Sequence, residues 1–507
     1  MLAAIVSVAL ALQAVPDRGP AAREVDSLLE QSQALGRVGK LAEATEVTRR
    51  AVTIAEARSR PDLYRSLDRL NDLLSASDPD TMLLVTDRMI AAARQLYGDE
   101  DFRTARAVTI RALFAGMVSG DNARLLREMP VGLADMTRLA RSPEQAEEVA
   151  TAAAILAKRL VVAGRDAEAR TAMSGAIAAI ERMGEPRSAN AATAYQASAD
   201  LLTGWGDYRL AEEHGLRALA IYERFDGPTS MELPVVLGSI ARLKVMTGRP
   251  AEAEPLLVRA LAIADAVKPP RQADLVRTLE DLGAFYAARG QPTLAEPLFR
   301  RAVTTSAQMP AGSDLAENAL LSLASSYLQL GRVDDARTAN AAAIARAESR
   351  DARSHKAGMI YLQAAQIALA AGDTAEAARH AARGRTLFET ILPAGDPRRG
   401  DALAMAAEVA MRQGDRAAAA ALWNAAATAM VPRGYPNASR EAAAIRASAA
   451  ALDAGRPPDW RPARTAGDAM TRRLASMASL PASRTAERDE VSLYNRLIDV
   501  AWTQAAR

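Results

Sequence analysis

The chain has 507 residues, of which 50% are hydrophobic but only 4% aromatic, with 63 basic and 61 acidic side chains and no cysteine. The two signs of charge are interspersed, which gives no basic face for nucleic acid, and the lack of cysteine excludes disulfides, thiolate nucleophiles and cysteine-ligated metals. Alanine supplies most of the apolar excess, and since it is the strongest helix former, the composition predicts an all-α chain.

The first predicted element is an uncharged apolar run from Leu2 to Ala14, followed by a polar stretch from Asp17. Its length suits the core of a signal peptide and is short for a bilayer span, and cleavage is expected after the A-x-A site Ala9-Leu10-Ala11 or after Ala14. No Lys or Arg precedes the run. We predict a signal peptide over 1–14 and a periplasmic or secreted bacterial protein. The alternatives are a cytoplasmic protein that begins with an apolar capping helix, and an uncleaved segment that would be its one membrane contact.

Turn-forming residues then recur through most of the chain at a nearly constant spacing. From Gly164 onward, successive turn glycines are 41 or 42 residues apart. The turn positions are Gly39, Asp78, Gly120, Gly164, Gly206, Gly248, Gly290, Gly331, Gly372 and Gly414. A fixed period of this length predicts tandem helix–turn–helix units in which each unit packs on its neighbours.

Small residues recur at fixed sequence distances from the turn glycines. Five residues after each glycine from Gly164 onward the chain has Ala169, Ala211, Ala253, Ala295, Ala336, Ala377 and Ala419; twelve after it come Ala176, Ala218, Ala260, Ala302, Ala343, Gly384 and Ala426. Leu83 and Leu125 replace the first alanine after Asp78 and Gly120. The sequence therefore predicts divergent repeats over 15–150 and regular repeats over 151–436.

The unit from Leu279 to Pro310 shows the pattern most fully. Its residues are Leu282, Gly283 and Tyr286 in the first helix and Ala295, Phe299 and Ala302 in the second. This resembles the tetratricopeptide repeat, and residues 295–302, AEPLFRRA, resemble the long repeat of kinesin light chains and their bacterial relatives. The resemblance implies an α-solenoid of about ten helix pairs in a right-handed superhelix, closed by a C-terminal helical cap.

Helix-breaking residues between the units and the pattern of the C-terminal segment complete the predicted architecture. Proline clusters at residues 226–228, 269–270, 310–312 and 393–397 should each end a second helix, and Ser313 or Asp314 should cap the next one. Residues 437–507 are predicted as a half-repeat and capping helices, with Leu493, Leu497, Ile498 and Trp502 covering the last repeat. A docking helix for a partner is the alternative for this tail.

Chemistry-bearing motifs are scarce. The three histidines, His214, His355 and His380, have no metal-ligand spacing and are expected at the surface or on the lip of a groove. No phosphate-binding loop or nucleophile elbow is present, and the Arg-Gly-Asp triplet at 399–401 is interpreted as a link between repeats. The competing hypothesis is an enzyme whose active site lies after Trp460, but that segment has neither His nor Cys. We predict no catalytic residue, metal or cofactor, and hence no enzyme.

The resemblance implies that first helices line a concave groove, so the residues six and ten before each turn glycine should face it. With further polar neighbours, these positions give a predicted partner-binding set of Lys158, Gln196, Asp200, Arg242, Arg277, Glu280, Asn318, Ser325, Gln363, Gln366, Glu408 and Arg412. The set lacks the Lys/Asn pattern of carboxylate-clamp members of the class.

The predicted function is that of a non-enzymatic scaffold or adaptor that holds a peptide-like segment of a protein partner in this groove, in the cell envelope. The sequence does not identify the partner, and it predicts no nucleic acid and no small-molecule cofactor. The alternative is a cytoplasmic, peptide-sensing regulatory module in signalling.

Overall fold

The computed structural model describes residues 19–37, 40–74, 79–119, 122–186, 188–267, 271–307, 309, 314–393 and 396–429, together with scattered residues between 443 and 454. All regular structure in these residues is helical. The predicted all-α class is confirmed, and so are tandem pairs of adjacent helices.

Ten pairs of helices follow one another within the described residues, each with a first and a second helix. The first helices are α1 (Pro20–Arg37), α3 (Leu63–Leu73), α5 (Phe102–Ser119), α7 (Pro143–Val162), α9 (Asn190–Gly204), α11 (Leu233–Met246), α13 (Gln272–Ala288), α15 (Leu315–Gln329), α17 (His355–Ala370) and α19 (Pro397–Arg412). The second helices are α2 (Leu41–Arg58), α4 (Pro79–Tyr97), α6 (Asn122–Leu139), α8 (Asp166–Met183), α10 (Tyr208–Asp226), α12 (Pro250–Ala266), α14 (Pro292–Ser306), α16 (Val333–Asp351), α18 (Thr374–Ile391) and α20 (Arg416–Ala429). A 3₁₀ turn, Arg60–Asp62, precedes α3.

The turn glycines act as C-terminal caps of the first helices. From Gly164 to Gly414 each has a positive φ, between 70° and 84°, a backbone conformation that glycine adopts without a Cβ clash. The residue after the glycine donates its N–H to the carbonyl five residues earlier, as Gln291 does to Tyr286 at 3.0 Å. This is the Schellman arrangement, so the constant spacing in the sequence marks a repeated helix-ending motif.

Phase-locked alanines let the two helices of a pair approach closely. Ala295 and Ala302 are fully buried, and their counterparts in the other regular repeats are buried as well. Gly283 faces Phe299 across the pair, and a Cβ at Gly283 would lie only 2.6 Å from Cε1 of that ring. Small residues at these positions therefore set the distance between the two helices.

The proline clusters lie after the ends of second helices, as predicted, with α10 ending at Asp226 and α18 at Ile391. The predicted cap at Asp314 is wrong. Asp314 precedes α15 but makes no side-chain capping bond, because its carboxylate instead accepts a hydrogen bond from Arg350 of α16. Ser313 lies outside the described residues.

The chain divides into two compact units. Unit 1 contains residues 1–201 and 213–227, and unit 2 contains residues 202–212 and 228–507. Within unit 2 the first helices α11, α13, α15, α17 and α19 contact one another in succession. They form a continuous surface that we call the first-helix face of unit 2.

Several predictions fall on residues that are not described. These are the signal peptide over 1–14, the turn positions Gly39, Asp78 and Gly120, and the helix-breaking residues 269–270 and 310–312. Most of the predicted cap, including Leu493, Leu497, Ile498 and Trp502, also lies outside the described residues. Alanine side chains at described positions between 443 and 451 pack with Trp423 of α20. The boundaries at 15–150, 151–436 and 437–507 and the right-handed superhelix stay predictions.

Over the described residues, no helix combines the length and apolar character needed to cross a bilayer.

Candidate functional site

Most of the predicted groove residues lie on the first-helix face of unit 2. They are Arg242 on α11, Arg277 and Glu280 on α13, Asn318 and Ser325 on α15, Gln363 and Gln366 on α17, and Glu408 and Arg412 on α19. Lys158 on α7 and both Gln196 and Asp200 on α9 belong to unit 1. A binding role for this set stays a prediction.

Three of these residues, Ser325, Gln363 and Gln366, line a single open pocket of about 510 Å³ between α15, α17 and α19. We call it the α15–α19 pocket. Its apolar floor includes Leu362 and Phe388, which pack together in the core of unit 2. Polar side chains around an apolar floor are the usual composition of a ligand pocket.

Gln363 contributes a hydrogen-bond acceptor that has no partner. Its Nε2 donates to the backbone carbonyl of Leu321 at 2.8 Å and to Oγ of Ser325 at 2.7 Å. Because a carbonyl oxygen only accepts, this contact fixes which end of the amide is nitrogen. Oε1 of Gln363 is buried and has no hydrogen-bond partner among the described residues. A buried acceptor left in this state costs about 1–3 kcal/mol, which a bound donor would recover.

Two charged residues, Arg398 and Asp401, line the same pocket. Arg398 is held by Asp396, to which its Nε and Nη2 donate at 2.8 and 2.6 Å. Asp401 has no hydrogen bond or ion pair within the described part of the chain. Asp401 as a whole residue is exposed, but partial burial of its carboxyl group raises the pKa, and the nearby charge of Asp396 raises it further. The charge of Arg398 is therefore neutralised by Asp396, whereas the carboxylate of Asp401 has no counter-ion among the described residues.

A second group of charges lies on α13 of the same face. Burial raises the pKa of Glu280 to about 7; the charge of Asp281 adds to this, while Lys356 and Arg277 act in the opposite direction. Oε1 of Glu280 is buried and has no hydrogen-bond partner in the described chain. Burial also raises the pKa of Asp281. This part of the face therefore carries carboxyl groups that are partly desolvated and form no ion pair among the described residues.

Other predicted groove residues bind to their neighbours. Nζ of Lys356 donates to Oδ1 of Asn318, which joins α17 to α15. Glu408 and Arg412 are one helical turn apart on α19, with Oε1 and Nε separated by 3.5 Å. Because the Glu408–Arg412 pair is exposed, it contributes little stability, and these two side chains could exchange each other for groups on a ligand at small cost.

The pocket-lining residues occupy the same few positions of successive repeats. Relative to the turn glycine, Leu321 and Leu362 are ten residues before it, and Ser325 and Gln366 are six before it. Asp401 is thirteen before Gly414, the position that Arg277 and Asn318 hold in their own repeats. The sequence prediction included Arg277 and Asn318 but missed Asp401, which this repeat register would have identified.

Unit 1 contains a buried charge network that the sequence prediction also missed. Arg106 of α5 binds Asp68 of α3, Nη1 to Oδ1 at 2.6 Å, and Glu148 of α7, Nε to Oε2 at 2.5 Å. Asp72 of α3 lies in the same network, and burial raises its pKa well above the usual range, with the charge of Asp68 adding to the effect. The network joins three successive first helices. In the sequence, its only signal is charge on otherwise apolar helix faces.

The histidines form no common site. His214 is buried, contrary to the predicted surface position, because its Nδ1 shares a hydrogen bond of 2.9 Å with Oγ of Ser198. Its burial lowers the pKa of the ring. His355 begins α17, as expected, and His380 stacks on Tyr361. Among the described residues, no group of His, Cys, Asp and Glu is arranged to hold a metal ion.

Comparison with known proteins gives a likeness of fold. No protein-family model and no curated protein matches the sequence. The apo quorum sensor NprR from B. thuringiensis aligns over 73% of this chain and 99% of its own, with 13% identity and a TM-score of 0.53. The chain has a tetratricopeptide-like fold.

Two further solved structures are similar at lower scores. A Rap protein in complex with Competence and Sporulation Factor covers 81% of this chain and 98% of its own at 14% identity, with a TM-score of 0.47. The nearly identical TPR-like repeats of a kinesin light chain sequence from Podosopora anserina cover 40% of this chain and 97% of their own at 20% identity, with a TM-score of 0.35.

In this tetratricopeptide-like chain, the α15–α19 pocket lies between the first helices of three successive repeats. The interpretation of the Arg-Gly-Asp triplet as a link between repeats is wrong, because the triplet forms part of the first two turns of α19. Its Arg399 donates to the backbone carbonyls of Glu389 and Leu392. The triplet therefore serves the packing of α19 on the end of α18, while Asp401 lines the pocket.

Proposed function

We propose that the protein is a non-enzymatic scaffold or adaptor that binds a peptide-like segment of a partner protein on the first-helix face of unit 2. The observation that carries the proposal is the α15–α19 pocket, in which Gln363 keeps a buried acceptor without a partner. A peptide supplies a backbone N–H for such an acceptor and side chains for an apolar floor. The tetratricopeptide-like fold supports this by analogy.

The rest of the face suits an extended ligand. Ser325 and Gln366 line the pocket, and the polar residues of α13 lie along the same succession of first helices. In a repeat array, binding energy can be distributed over several units, so that each contact is individually weak. The segment bound by this face would accordingly span more than one repeat.

Site-specific photo-crosslinking in native cells tests the proposal. A photoreactive amino acid in place of Gln366, on the pocket wall, should crosslink to one defined partner protein. The matched control is the same replacement of Arg379, an exposed residue of the second helix α18. In addition, Gln363→Leu should weaken the Gln366 crosslink. Equal crosslinking from both positions, or none from either, would contradict the proposal.

We further propose that the protein works in the cell envelope, supported by the apolar run from Leu2 to Ala14. The mass of the N-terminal peptide from fractionated cells tests this location. A mature chain that begins near Leu12 or Val15 in the periplasm is expected. An intact Met1 in the cytoplasm would contradict export and favour the alternative of a peptide-sensing regulatory module, which would use the same pocket.

A further inference from the structure

We propose that the α15–α19 pocket recognises a basic side chain, lysine or arginine, of the bound segment. The inference rests on the proposed function and specifies the chemistry of the ligand. It follows from three features of the pocket wall: an apolar floor, the carboxylate of Asp401 without a counter-ion, and the free acceptor of Gln363.

The first argument concerns charge. Asp401 is the one carboxylate that lines the pocket as the described residues form it, and Arg398 is already neutralised by two hydrogen bonds to Asp396. An acidic ligand group would meet an unbalanced negative charge. A purely apolar group would remove the remaining water from Asp401 and give nothing in return. A cation supplies the missing counter-ion and forms a charge-assisted hydrogen bond.

The second argument concerns shape. Lysine and arginine carry a charged head on an aliphatic stem, and such stems pack on apolar surface while the head reaches a polar group. Leu362, Phe388 and Met405 give the pocket an apolar wall beside Asp401. A small cation, such as an ammonium ion, would leave this wall uncovered. A basic side chain fills both parts of the site.

The third argument concerns hydrogen bonds. Both ammonium and guanidinium groups have more donors than one carboxylate can accept. Gln363 lines the same pocket, and its Oε1 is a buried acceptor that has no partner among the described residues. The orientation of this amide is fixed by the bonds that Nε2 makes to Leu321 and Ser325. Asp401 and Gln363 together therefore provide acceptors for a head group with several donors.

A displayed library of random peptides, selected on the full-length protein, tests the inference. The wild-type chain should enrich peptides with Lys or Arg at one fixed position. Asp401→Asn should bind those peptides about tenfold or more weakly, as expected for the loss of a charge-assisted hydrogen bond. Asp334→Asn is the matched control, since Asp334 is an exposed aspartate on the second helix α16, and it should leave binding unchanged.

Asp401→Asn should fold normally because Asp401 has no ion pair with any described residue, and an unchanged melting temperature verifies this. As a second variant, Asp401→Lys should enrich peptides with Asp or Glu at the fixed position. Enriched peptides without a basic residue, or the same basic preference in Asp401→Asn, would overturn the inference while leaving peptide binding intact. If the wild-type chain enriches no peptide, both the inference and the proposed function fail.

Discussion

At the scale of single residues, burial changes what the sequence alone suggests about Glu280. The repeat register predicts only that this carboxyl group faces the groove. In the structure, burial raises its pKa to about 7, and the cations that face it, Arg277 and Lys356, only partly oppose the effect of burial and of Asp281. The sequence shows the position of a residue in the repeat but not how much water its neighbours displace.

Glu280→Gln should make stability less dependent on pH. The pKa of Glu280 in the folded chain lies above the ordinary value of 4.5, so the folded chain binds this proton more tightly than the unfolded chain does. The stabilisation that results is complete below pH 4.5 and is lost as the pH rises towards 7. The neutral glutamine avoids this loss. The variant should therefore be more stable than wild type by roughly 1–3 kcal/mol at about pH 8, with little difference below pH 4.5.

Urea unfolding at both pH values measures the effect of Glu280→Gln. Asp334→Asn serves as the control, because Asp334 is an exposed carboxylate on the second helix α16. The expectation for Glu280 would be wrong if the wild-type chain and the Glu280→Gln variant lost stability equally between the two pH values.

Arg106 should be among the most sensitive positions of unit 1. Its replacement in Arg106→Leu leaves Asp68 and Glu148 with buried charge and no cation. Removing one partner of a buried ion pair typically costs about 3–5 kcal/mol. The exposed Arg138, which binds Glu100 at 2.7 Å, is the control, and Arg138→Leu should destabilise the chain far less than Arg106→Leu.

Denaturant unfolding compares the two arginine variants. Neutralising the stranded acids in the combined variant Arg106→Leu, Asp68→Asn, Glu148→Gln should restore much of the lost stability. A cost for Arg106→Leu no larger than that for Arg138→Leu would show that the network contributes nothing to folding.

At the scale of helices, the sequence predicts the fold well because the same physical requirement recurs in every unit. A helix that ends on a left-handed residue needs glycine there, and two helices that touch closely need small residues at the contact. Gly290 and Ala295 satisfy these requirements in one repeat, and their equivalents satisfy them in the others. Ends without such a requirement are harder to predict, as the absent cap at Asp314 shows.

The candidate site was predictable in part for the same reason. Ser325 and Gln366 hold groove positions defined by the repeat register, Gln363 was predicted as a polar neighbour of these positions, and the structure places all three around one pocket. Whether a polar residue is paired depends on side chains from neighbouring repeats. The bond between Asn318 and Lys356 joins residues that are far apart in the sequence. The lack of a partner for Asp401 among the described residues likewise depends on which side chains the neighbouring repeats supply. The repeat register contains neither kind of information.

Gly283→Ala tests the requirement for a small residue between the two helices of a pair. The added methyl would lie 2.6 Å from the ring of Phe299, which is itself buried in the core. Strain of this kind costs about 1–3 kcal/mol, partly offset by the better helix propensity of alanine. We expect a net loss of about 1–2 kcal/mol in the free energy of unfolding.

Gly175→Ala is the matched control for this test. Gly175 lies inside α8, and a Cβ built there meets no atom within 4 Å, so the substitution should stabilise by about 0.5–1 kcal/mol through helix propensity alone. Thermal unfolding of both variants gives the comparison. A stabilising effect of Gly283→Ala would mean that the helix pair does not depend on close contact at this point.

At the scale of the whole molecule, each helix contacts mainly the helices next to it in the chain, which is typical of repeat proteins. Local changes should therefore have local effects within each unit. A ligand that binds one stretch of first helices should protect that stretch and leave the more distant repeats unaffected. This property makes the position of a binding site directly measurable.

Hydrogen–deuterium exchange of the full-length protein, with and without the peptide most enriched from the displayed library, locates the binding site directly. We expect slower exchange in α15, α17 and α19, where the pocket lies, and unchanged exchange in α1 to α6. Asp401→Asn should abolish the difference at the same peptide concentration. Protection confined to unit 1 or to second helices would contradict a binding site on the first-helix face of unit 2.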